Sequence, residues 1–257
     1  MACEKCGGVG YVIVSRDGVE GATRCTCFAD ERVGRLRDAS NIPPNFEDKS
    51  LESFQLPADN EIARRALSDI FLEVKRYARD YPVVEKPGLL LIGNPGTGKT
   101  HLAVGALKSI LTKGFEGLFY DYQQLLTDIQ RGWSDNAGST EKEAFRRVMD
   151  VEVLLLDDLG ARRAIDWVED VVTEIITYRY NHRKPLIATT NLAESAAGHQ
   201  VISGKTPGGS NRGGKSLGEI VGERSRSRLF EMCRVVAMPP VEDYRMRRTG
   251  FTSDRRG

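Results

Sequence analysis

Residues 88–100 read GLLLIGNPGTGKT, and the change of character along this stretch decides the fold. Its first five residues are a short apolar run, which is typical of a strand buried on both faces of a sheet. Residues 93–98 then carry three glycines and a proline, which favour a tight loop. The following THLAVGALKSILTKG (100–114) has helical character and stops at a glycine. The stretch therefore predicts a strand, a glycine-rich loop and a helix in direct succession.

The same order of elements recurs along the chain. Further apolar strand patterns, with helical patterns between them and the last helical pattern near 218–232, are GLFY (117–120), VEVLLLDD (151–158), PLIATT (185–190) and RVVAM (234–238). Such alternation predicts an α/β fold with three layers, in which a five-stranded parallel sheet lies between helices. Ligand sites in sheets of this kind lie at the carboxyl ends of the strands.

The glycine-rich loop lies at such a strand end and has the spacing G-x-x-x-x-G-K-T, which in this context predicts a P-loop rather than a chance glycine-rich turn. Its backbone N–H groups can surround phosphate oxygens, and the helix N-terminus adds partial positive charge. We expect Lys99 to reach the β- and γ-phosphates and Thr100 to bind Mg²⁺. The predicted residues for ATP are Gly93, Asn94, Pro95, Gly96, Thr97, Gly98, Lys99 and Thr100.

Two adjacent carboxylates, Asp157 and Asp158, end the apolar strand VLLLDD at the same edge of the sheet. We expect Asp157 to hold Mg²⁺ together with Thr100, and Asp158 to orient or deprotonate an attacking water. The alternative for Asp158 is a structural role as the N-cap of the next turn. The pair indicates ATP hydrolysis.

Four of the five cysteines lie within the first 27 residues, as the pairs Cys3 and Cys6, and Cys25 and Cys27. YVIV (11–14), followed by the turn signal Asp17-Gly18, predicts a hairpin that brings the two pairs together. Four thiolates around one Zn²⁺ would form a closed, structural site. The alternatives are two disulfides or four unrelated thiols. A reducing cytosol disfavours the disulfides.

Composition and charge bound the remaining possibilities. The 257 residues are 40% hydrophobic, and 37 lysines and arginines nearly balance 36 acidic residues, so net charge gives no sign of a nucleic-acid protein. No apolar run is long enough for a membrane span and the start has no signal-peptide pattern, so we expect a cytoplasmic protein without a membrane partner. The predicted map is a zinc module (1–36), a linker (37–58), the ATPase domain (59–245) and a basic tail (246–257).

Within this map, the segment from about 28 to 60 is expected to be mostly extended or turned, since prolines interrupt it and it lacks periodicity. Asp59 or Asn60 can then cap a helix that ends before Pro82 and buries apolar residues at four-residue spacing from Ile62 to Ala78. Cys233 is expected to be a buried hydrophobe at the end of the last helix.

The motifs GNPGTGKTHLA, LLLDDLGA, IATTN and GERSRSRLFEMCRVV together resemble the AAA+ ATPases of the DnaC/DnaI helicase-loader group and their IstB-type transposase-helper relatives. This resemblance covers roughly residues 40–240, and the cysteine-rich start with NIPPNFEDKSLESF extends it toward DnaI-type loaders. It implies that Asn191 is a sensor-1 residue that positions the water or the γ-phosphate. It also implies a zinc module that contacts the replicative helicase.

The resemblance further implies that Arg224 and Arg228 belong to the segment whose arginine enters the neighbouring subunit's nucleotide site. Being four residues apart on a helix, the two side chains face the same way. Arg228 is the predicted arginine finger of a homo-oligomer and Arg224 its support. The alternative is a solvated helix face that pairs with Glu219 and Glu223.

Several features leave their role open. Residues 196–218 are rich in glycine and basic residues, so they could contact a nucleic-acid backbone or have no role. Arg162 and Arg163 could reach single-stranded DNA or be ordinary surface residues. Trp133 and Trp167 are expected to pack rather than stack on bases, and His101 to lie on a helix face rather than act as a base. No helical lid domain is expected after Pro240, which suggests a slow ATPase.

The sequence therefore predicts an ATP-binding and ATP-hydrolysing loader of the replicative DNA helicase onto single-stranded DNA, with ATP, Mg²⁺ and Zn²⁺ bound. Two alternatives remain open: an IstB-like transposition helper, and an adaptor that binds nucleotide without hydrolysing it.

Overall fold

A computed structural model describes residues 3–7, 9–16, 19–132, 139–161, 166–192, 216–241 and 243–244. The strands are β1 (Tyr11–Arg16), β2 (Val19–Arg24), β3 (Gly88–Ile92), β4 (Gly117–Asp121), β5 (Val153–Asp157), β6 (Leu186–Thr190) and β7 (Cys233–Ala237). The helices are α1 (Thr26–Ala39), α2 (Glu61–Asp80), α3 (Lys99–Thr112), α4 (Tyr122–Gly132), α5 (Ser139–Asp150), α6 (Asp166–Asn181), α7 (Leu217–Val221) and α8 (Glu223–Met232).

Strands β3 to β7 form one parallel sheet in the order β4-β5-β6-β3-β7. All five are the apolar runs that the sequence singles out, so the predicted α/β class with a five-stranded parallel sheet is confirmed. Because β3 lies between β6 and β7, the loop that follows β3 emerges next to the ends of both neighbours. The carboxyl end of β5 lies one strand further along the same edge.

Alternate residues of each strand point to opposite faces of the sheet, and each face has its own hydrophobic cluster. Leu90 and Leu154 pack with residues of α4 to α8, whereas Leu89 and Leu155 pack with residues of α2 and α3. Burying one such leucine stabilises the fold by about 1.5–3 kcal/mol. The two covered faces explain why the strands are continuous apolar runs, and they confirm the three layers.

One buried guanidinium joins the segment before β5 to the start of β6. Arg179 of α6 donates from Nη1 to the carbonyl oxygens of Val148 and Val151, at 2.8 and 3.1 Å. From Nη2 it donates to the carbonyls of Glu152 and Pro185, at 2.9 and 2.6 Å. Burial lowers the pKa of Arg179 to about 10. The four carbonyl dipoles offset the cost of holding this charge away from water.

Helix α2 begins where the sequence predicts and buries the expected Val74 and Ala78, but its first turns bury a different face. The side chain of Asn60 accepts a hydrogen bond from the Ala63 N–H at 2.9 Å, and the helix ends before Pro82 as expected. Ile62, however, is 85% exposed, and the buried face runs through Ala63 and Leu67 instead. A strict four-residue spacing drifts around a helix that has 3.6 residues per turn, so the first residue of the series leaves the buried face.

The helical pattern near 218–232 is two helices, α7 and α8. Gly222 separates them with a φ of 79°, a left-handed conformation that ends the first helix. Cys233 is buried as expected, but it opens strand β7 instead of ending a helix, and it lies beside Gly88 of β3. Helix α5 is an additional element that the sequence patterns did not indicate.

The segment predicted as a linker over 37–58 packs against the α/β domain. Residues 26–39 form helix α1, and the stretch that we call the strap (residues 46–59) continues across α3. Lys108 of α3 donates to the carbonyl oxygens of Phe46 and Glu47, both at 2.7 Å, and Leu51 is buried in the core. Aperiodic chain can thus be held by backbone carbonyls and isolated apolar residues, which leave no periodic signal in a sequence.

Strands β1 and β2 form an antiparallel hairpin in which Tyr11 lies opposite Arg24, as predicted for this region. The turn residues Asp17 and Gly18 lie outside the described residues. The hairpin leads directly into α1. A bilayer-spanning helix needs about 20 mostly apolar residues, and the helices of the described ranges include none of that kind.

Candidate functional site

The loop between β3 and α3 has the backbone geometry of a phosphate cradle. Gly96 and Gly98 have φ values of 74° and 94°, in the left-handed region that side chains disfavour. Gly98 is the N-cap of α3 and forms no side-chain cap, so the N–H groups of the first helical turn face the loop interior. Oriented N–H groups at a helix N-terminus attract anions. The predicted residues 93–100 therefore form one loop suited to phosphate.

Lys99 extends back into this loop. It is 6% exposed, and its Nζ donates to the carbonyl oxygens of Gly93 and Asn94 at 2.8 and 2.7 Å. The hydroxyl of Thr97 donates to the same Asn94 carbonyl at 2.8 Å, which stiffens the loop. An ammonium group at this position can bind the oxygens of a phosphate group. The arrangement therefore suits an anion at the centre of the loop.

Thr100 and Asp157 meet at the base of the loop, as predicted for a magnesium site. The Thr100 hydroxyl donates to Asp157 Oδ2 at 3.2 Å, and the Thr189 hydroxyl donates to Asp157 Oδ1 at 2.6 Å. Burial raises the pKa of Asp157, the two hydroxyl hydrogen bonds oppose the rise, and the neighbouring carboxylates of Asp158 and Asp121 add to it. A buried carboxylate beside a hydroxyl suits a hard divalent cation, which would stabilise the ionised form.

Asp158 and Asn191 also meet, across the ends of β5 and β6. Asn191 Nδ2 donates to Asp158 Oδ1 at 2.5 Å, and the Asp158 N–H donates to the Thr189 hydroxyl at 2.9 Å. Asp158 has a φ of 57°, a left-handed conformation that is unusual for a residue with a side chain. The hydrogen bond shows that the Asp158 side chain is directed toward Asn191. Backbone strain of this kind concentrates at functional sites.

These side chains line one end of a cavity of about 940 Å³. The strap and two residues that follow β7, Val241 and Tyr244, form another part of its wall. Phe54 of the strap approaches Gly98 so closely that a Cβ on that glycine would lie 2.8 Å from the ring. This wall is the part of the site that the sequence did not reveal.

His101 attaches the strap to α3. Its Nε2 donates to the Ser50 carbonyl oxygen at 2.8 Å and lies 3.2 Å from the Ser53 hydroxyl, and its ring meets Phe54 edge-on at 5.2 Å. Burial lowers the pKa of His101, partly opposed by the bond to Ser50, and so favours the neutral ring. These contacts give His101 a structural role in the strap.

Arg224 and Arg228 do not line the cavity of their own chain, as far as the described residues show. Arg224 is exposed at the start of α8. Arg228 donates to the Thr177 hydroxyl of α6 at 2.8 Å and lies 5.9 Å from the centre of the Tyr180 ring. The ion pair of this helix that the described residues include is Arg226 with Glu223, at 3.7 Å.

The four N-terminal cysteines come together as predicted. The sulfur atoms of Cys3, Cys6, Cys25 and Cys27 all lie within 4.8 Å of one another, and none forms a disulfide. Cys3 and Cys25 are 3.8 Å apart, and Cys6 and Cys27 are 3.4 Å apart. Tetrahedral Zn–S bonds of about 2.3 Å place sulfurs about 3.8 Å apart. The cluster therefore fits a Zn²⁺ ion.

Other predicted features fall elsewhere. Trp167 packs against the core as expected. The candidate DNA contacts Arg162 and Arg163, most of the basic loop 196–218, Trp133 and the tail 246–257 lie outside the described residues.

Comparisons with known proteins agree with this geometry. The family model of the IstB-like ATP binding protein matches residues 29–204. The chain is 29% identical over 199 residues to the phage-like element PBSX protein XkdC of Bacillus subtilis (strain 168), an alignment that covers 74% of this chain and 71% of the relative. It is 22% identical over 176 residues to the replicative helicase loader DnaC of Escherichia coli (strain K12), covering 67% and 69% of the two chains.

A solved structure adds to these sequence matches. The crystal structure of the DnaC helicase loader matches with a TM-score of 0.60 and 28% identity, over 77% of this chain and all of the other. The predicted resemblance is thereby confirmed. The chain belongs to the family of IstB-like ATP-binding proteins, and its P-loop domain has the AAA+ fold of DnaC.

Proposed function

We propose that this protein is an ATP-hydrolysing loader of the replicative DNA helicase onto single-stranded DNA, acting during replication initiation or restart. The observation that carries the ATPase part is the line of polar side chains from Thr100 through Asp157 to Asp158 and Asn191 at one end of the cavity. The similarity to a replicative helicase loader supports the choice of client.

In this proposal the residues at the sheet edge divide the work. Lys99 and the loop N–H groups bind the phosphates, and Thr100 and Asp157 hold Mg²⁺, which when bound supplies positive charge to the phosphate oxygens. Asp158 accepts the proton of the attacking water, and Asn191 keeps that carboxylate in position. A general base of this kind contributes about 10²–10⁴-fold to the rate.

Arg228 completes the site of a neighbouring subunit in a homo-oligomer. The Thr177 hydroxyl and the Tyr180 ring hold its guanidinium on the outer side of α6, at a fixed place on the subunit surface. An arginine that enters a phosphoryl-transfer site stabilises the charge that develops there. Arg224, exposed one turn earlier on α8, lies on the same side and supports it.

The zinc hairpin is the proposed docking site for the helicase. Tyr11 and Ile13 lie on one face of β1 and are 53% and 75% exposed. Large apolar side chains exposed side by side often mark interaction surfaces. Zn²⁺ bound by the four cysteines would keep this small hairpin in shape, because a two-stranded ribbon is marginal alone.

A pulldown of the candidate replicative helicase, with and without ATP, tests the loader function. We expect the full chain to retain the helicase, and the double variant Tyr11→Ser with Ile13→Ser to lose it. A matched double variant on β2, Glu20→Gln with Thr23→Ser, should behave like the wild type. Absence of retention by the wild type, with assembly stimulated by duplex DNA instead, would overturn the loader function.

Assembly on duplex DNA without retention of the helicase would favour a transposition helper, which the IstB-like family match supports independently. The same P-loop site would then control assembly on duplex DNA. An adaptor that binds but does not hydrolyse ATP is a third candidate. It predicts equal, negligible turnover for the wild type and for Asp158→Asn at concentrations that saturate assembly.

A further inference from the structure

Two segments that are distant in the sequence, the strap and the chain after β7, contact the P-loop. The segment that follows β7 runs along the loop, since the Met238 N–H donates to the Ile92 carbonyl at 2.7 Å and the Tyr244 N–H donates to the Gly96 carbonyl at 3.1 Å. The strap contacts the loop through Phe54, which packs against Gly98. Each segment is thus anchored on its own glycine of the loop.

The two segments meet over the mouth of the cavity. The Tyr244 hydroxyl donates to Oε1 of Gln55 at 3.1 Å. Tyr244 is 46% exposed and Gln55 is exposed as well, so water competes for this bond. An exposed hydrogen bond of this kind is easily broken and remade. It therefore joins the two walls reversibly, at the point where a nucleotide held by the P-loop would enter and leave.

We propose that Tyr244 and Gln55 form a latch across the mouth of the nucleotide cavity, in which Tyr244 is a positioning residue that keeps the strap over bound nucleotide. The latch rests on the proposed nucleotide site, and it deepens that proposal by assigning control of nucleotide release to a contact that involves neither catalytic carboxylate. With the latch open, the strap is still held by Leu51, Phe54 and His101, but its contact with Tyr244 is lost. Release should then be faster while the chemistry at Asp158 is unchanged.

The geometry offers substitutions that remove the latch with little change of shape. Tyr244→Phe deletes the hydroxyl donor and keeps the ring and the backbone bond to Gly96. Gln55→Leu deletes the acceptor at similar size. Since both residues are exposed, neither change creates a buried cavity, and we expect both variants to fold. Tyr178→Phe on α6 is the matched control, because its hydroxyl bond to Asp150 lies away from the cavity.

The experiment measures release of radiolabelled ATPγS with Mg²⁺ from the full chain after a chase of unlabelled ATP. We expect release about two- to tenfold faster for Tyr244→Phe and for Gln55→Leu. The double variant should be no faster than either single variant, because both remove the same bond. Tyr178→Phe should match the wild type. The melting temperature without nucleotide should be the same for the wild type and for every variant. If the bond only stabilised the fold, its loss would lower the melting temperature.

Two results would overturn the latch. If the wild type retains ATPγS and both single variants release it at the wild-type rate, the contact does not hold the nucleotide. Multiplied effects in the double variant would show that the two residues act separately. Failure of the wild type itself to retain ATPγS is a different outcome, because it would overturn the nucleotide site and the latch together.

Discussion

The two ends of the nucleotide cavity are held in place by different kinds of contact. The phosphate end (residues 93–100, Asp157, Asp158 and Asn191) stands on buried strand ends, and its side chains contact one another within the sheet edge. The strap end (the strap with Val241 and Tyr244) is held by one buried leucine, Leu51, and otherwise by half-buried rings and exposed polar groups. The difference suggests that the phosphate end carries out the chemistry and that the strap end controls entry and release of the nucleotide.

The largest expected effect belongs to Arg228, which would reach the phosphate end from a neighbouring subunit. Arg228→Ala should lower ATP turnover of the assembled protein by about 10³–10⁵-fold. Steady-state turnover at saturating ATP measures this effect. Arg226→Ala is the matched control, because Arg226 pairs with Glu223 of its own helix, and we expect it to remain within about twofold of the wild type.

Mixing variants sharpens this test. A subunit with Arg228→Ala still has Asp158, and a subunit with Asp158→Asn still has Arg228. Mixed oligomers should therefore regain turnover that neither variant has alone. If mixing restores nothing although the subunits assemble, Arg228 does not act in a neighbouring site.

The second effect separates the two ends of the cavity directly. Asp158→Asn should lower turnover by about 10²–10⁴-fold while ATP still binds. Asp48→Asn at the strap end removes a carboxylate that lines the same cavity but pairs with Lys49. We expect its turnover to stay within about twofold of the wild type. Equal losses in the two variants would contradict the assignment of chemistry to the phosphate end.

A smaller effect is expected at the strap end itself. Phe54 stacks on Phe71 at 5.9 Å between ring centres and meets His101 edge-on. Phe54→Ala should weaken ATP binding about tenfold, because two ring contacts that position the strap are lost. Calorimetric titration with ATP checks this. Phe115→Ala removes a similar ring contact, with Tyr81, away from the cavity, and its affinity should be unchanged.

The same comparison explains what could be predicted from the sequence. Residues of the phosphate end are adjacent in the chain or directly follow apolar strands, so strand order alone brings Thr100, Asp157 and Asn191 together. The spacing of the loop glycines fixes their backbone conformation. Local rules of this kind need no knowledge of distant contacts. The predicted residues Lys99, Thr100, Asp157, Asp158 and Asn191 all line one cavity.

The strap end could not be predicted in this way. Phe54, Gln55 and Tyr244 come from distant parts of the chain, and they meet because tertiary packing brings both segments to the P-loop. Arg179 illustrates the same limit in the core, since a charged residue in a helical pattern gives no sign that it is buried among four carbonyls. Contacts made by backbone carbonyls depend on the folded path and leave no trace in residue type.

The smallest effect tests whether the buried carboxylate of the phosphate end destabilises the fold. Burial, opposed by the Thr189 and Thr100 hydroxyls, raises the pKa of Asp157. A carboxyl whose pKa is higher folded than unfolded destabilises the fold once it ionises. The cost is absent below the unfolded pKa, grows as the pH rises toward the folded pKa, and is fully present above it. Asp157→Asn should therefore raise the melting temperature of the nucleotide-free protein near pH 7.

The expected rise is about 2–4 °C, and it should shrink as the pH falls and the wild-type carboxyl becomes protonated. Thermal melts over a pH series measure it, and the variant should lose the further rise that Mg²⁺ with ATP gives the wild type. Asp121→Ala is the contrasting variant, since the Asp121 carboxylate accepts from the N–H groups of Gln123 and Gln124 at the start of α4 and alanine removes this cap. That change should lower the melting temperature instead. A lower melting temperature for Asp157→Asn as well would mean that the phosphate end is stabilised by its buried carboxylate rather than strained by it.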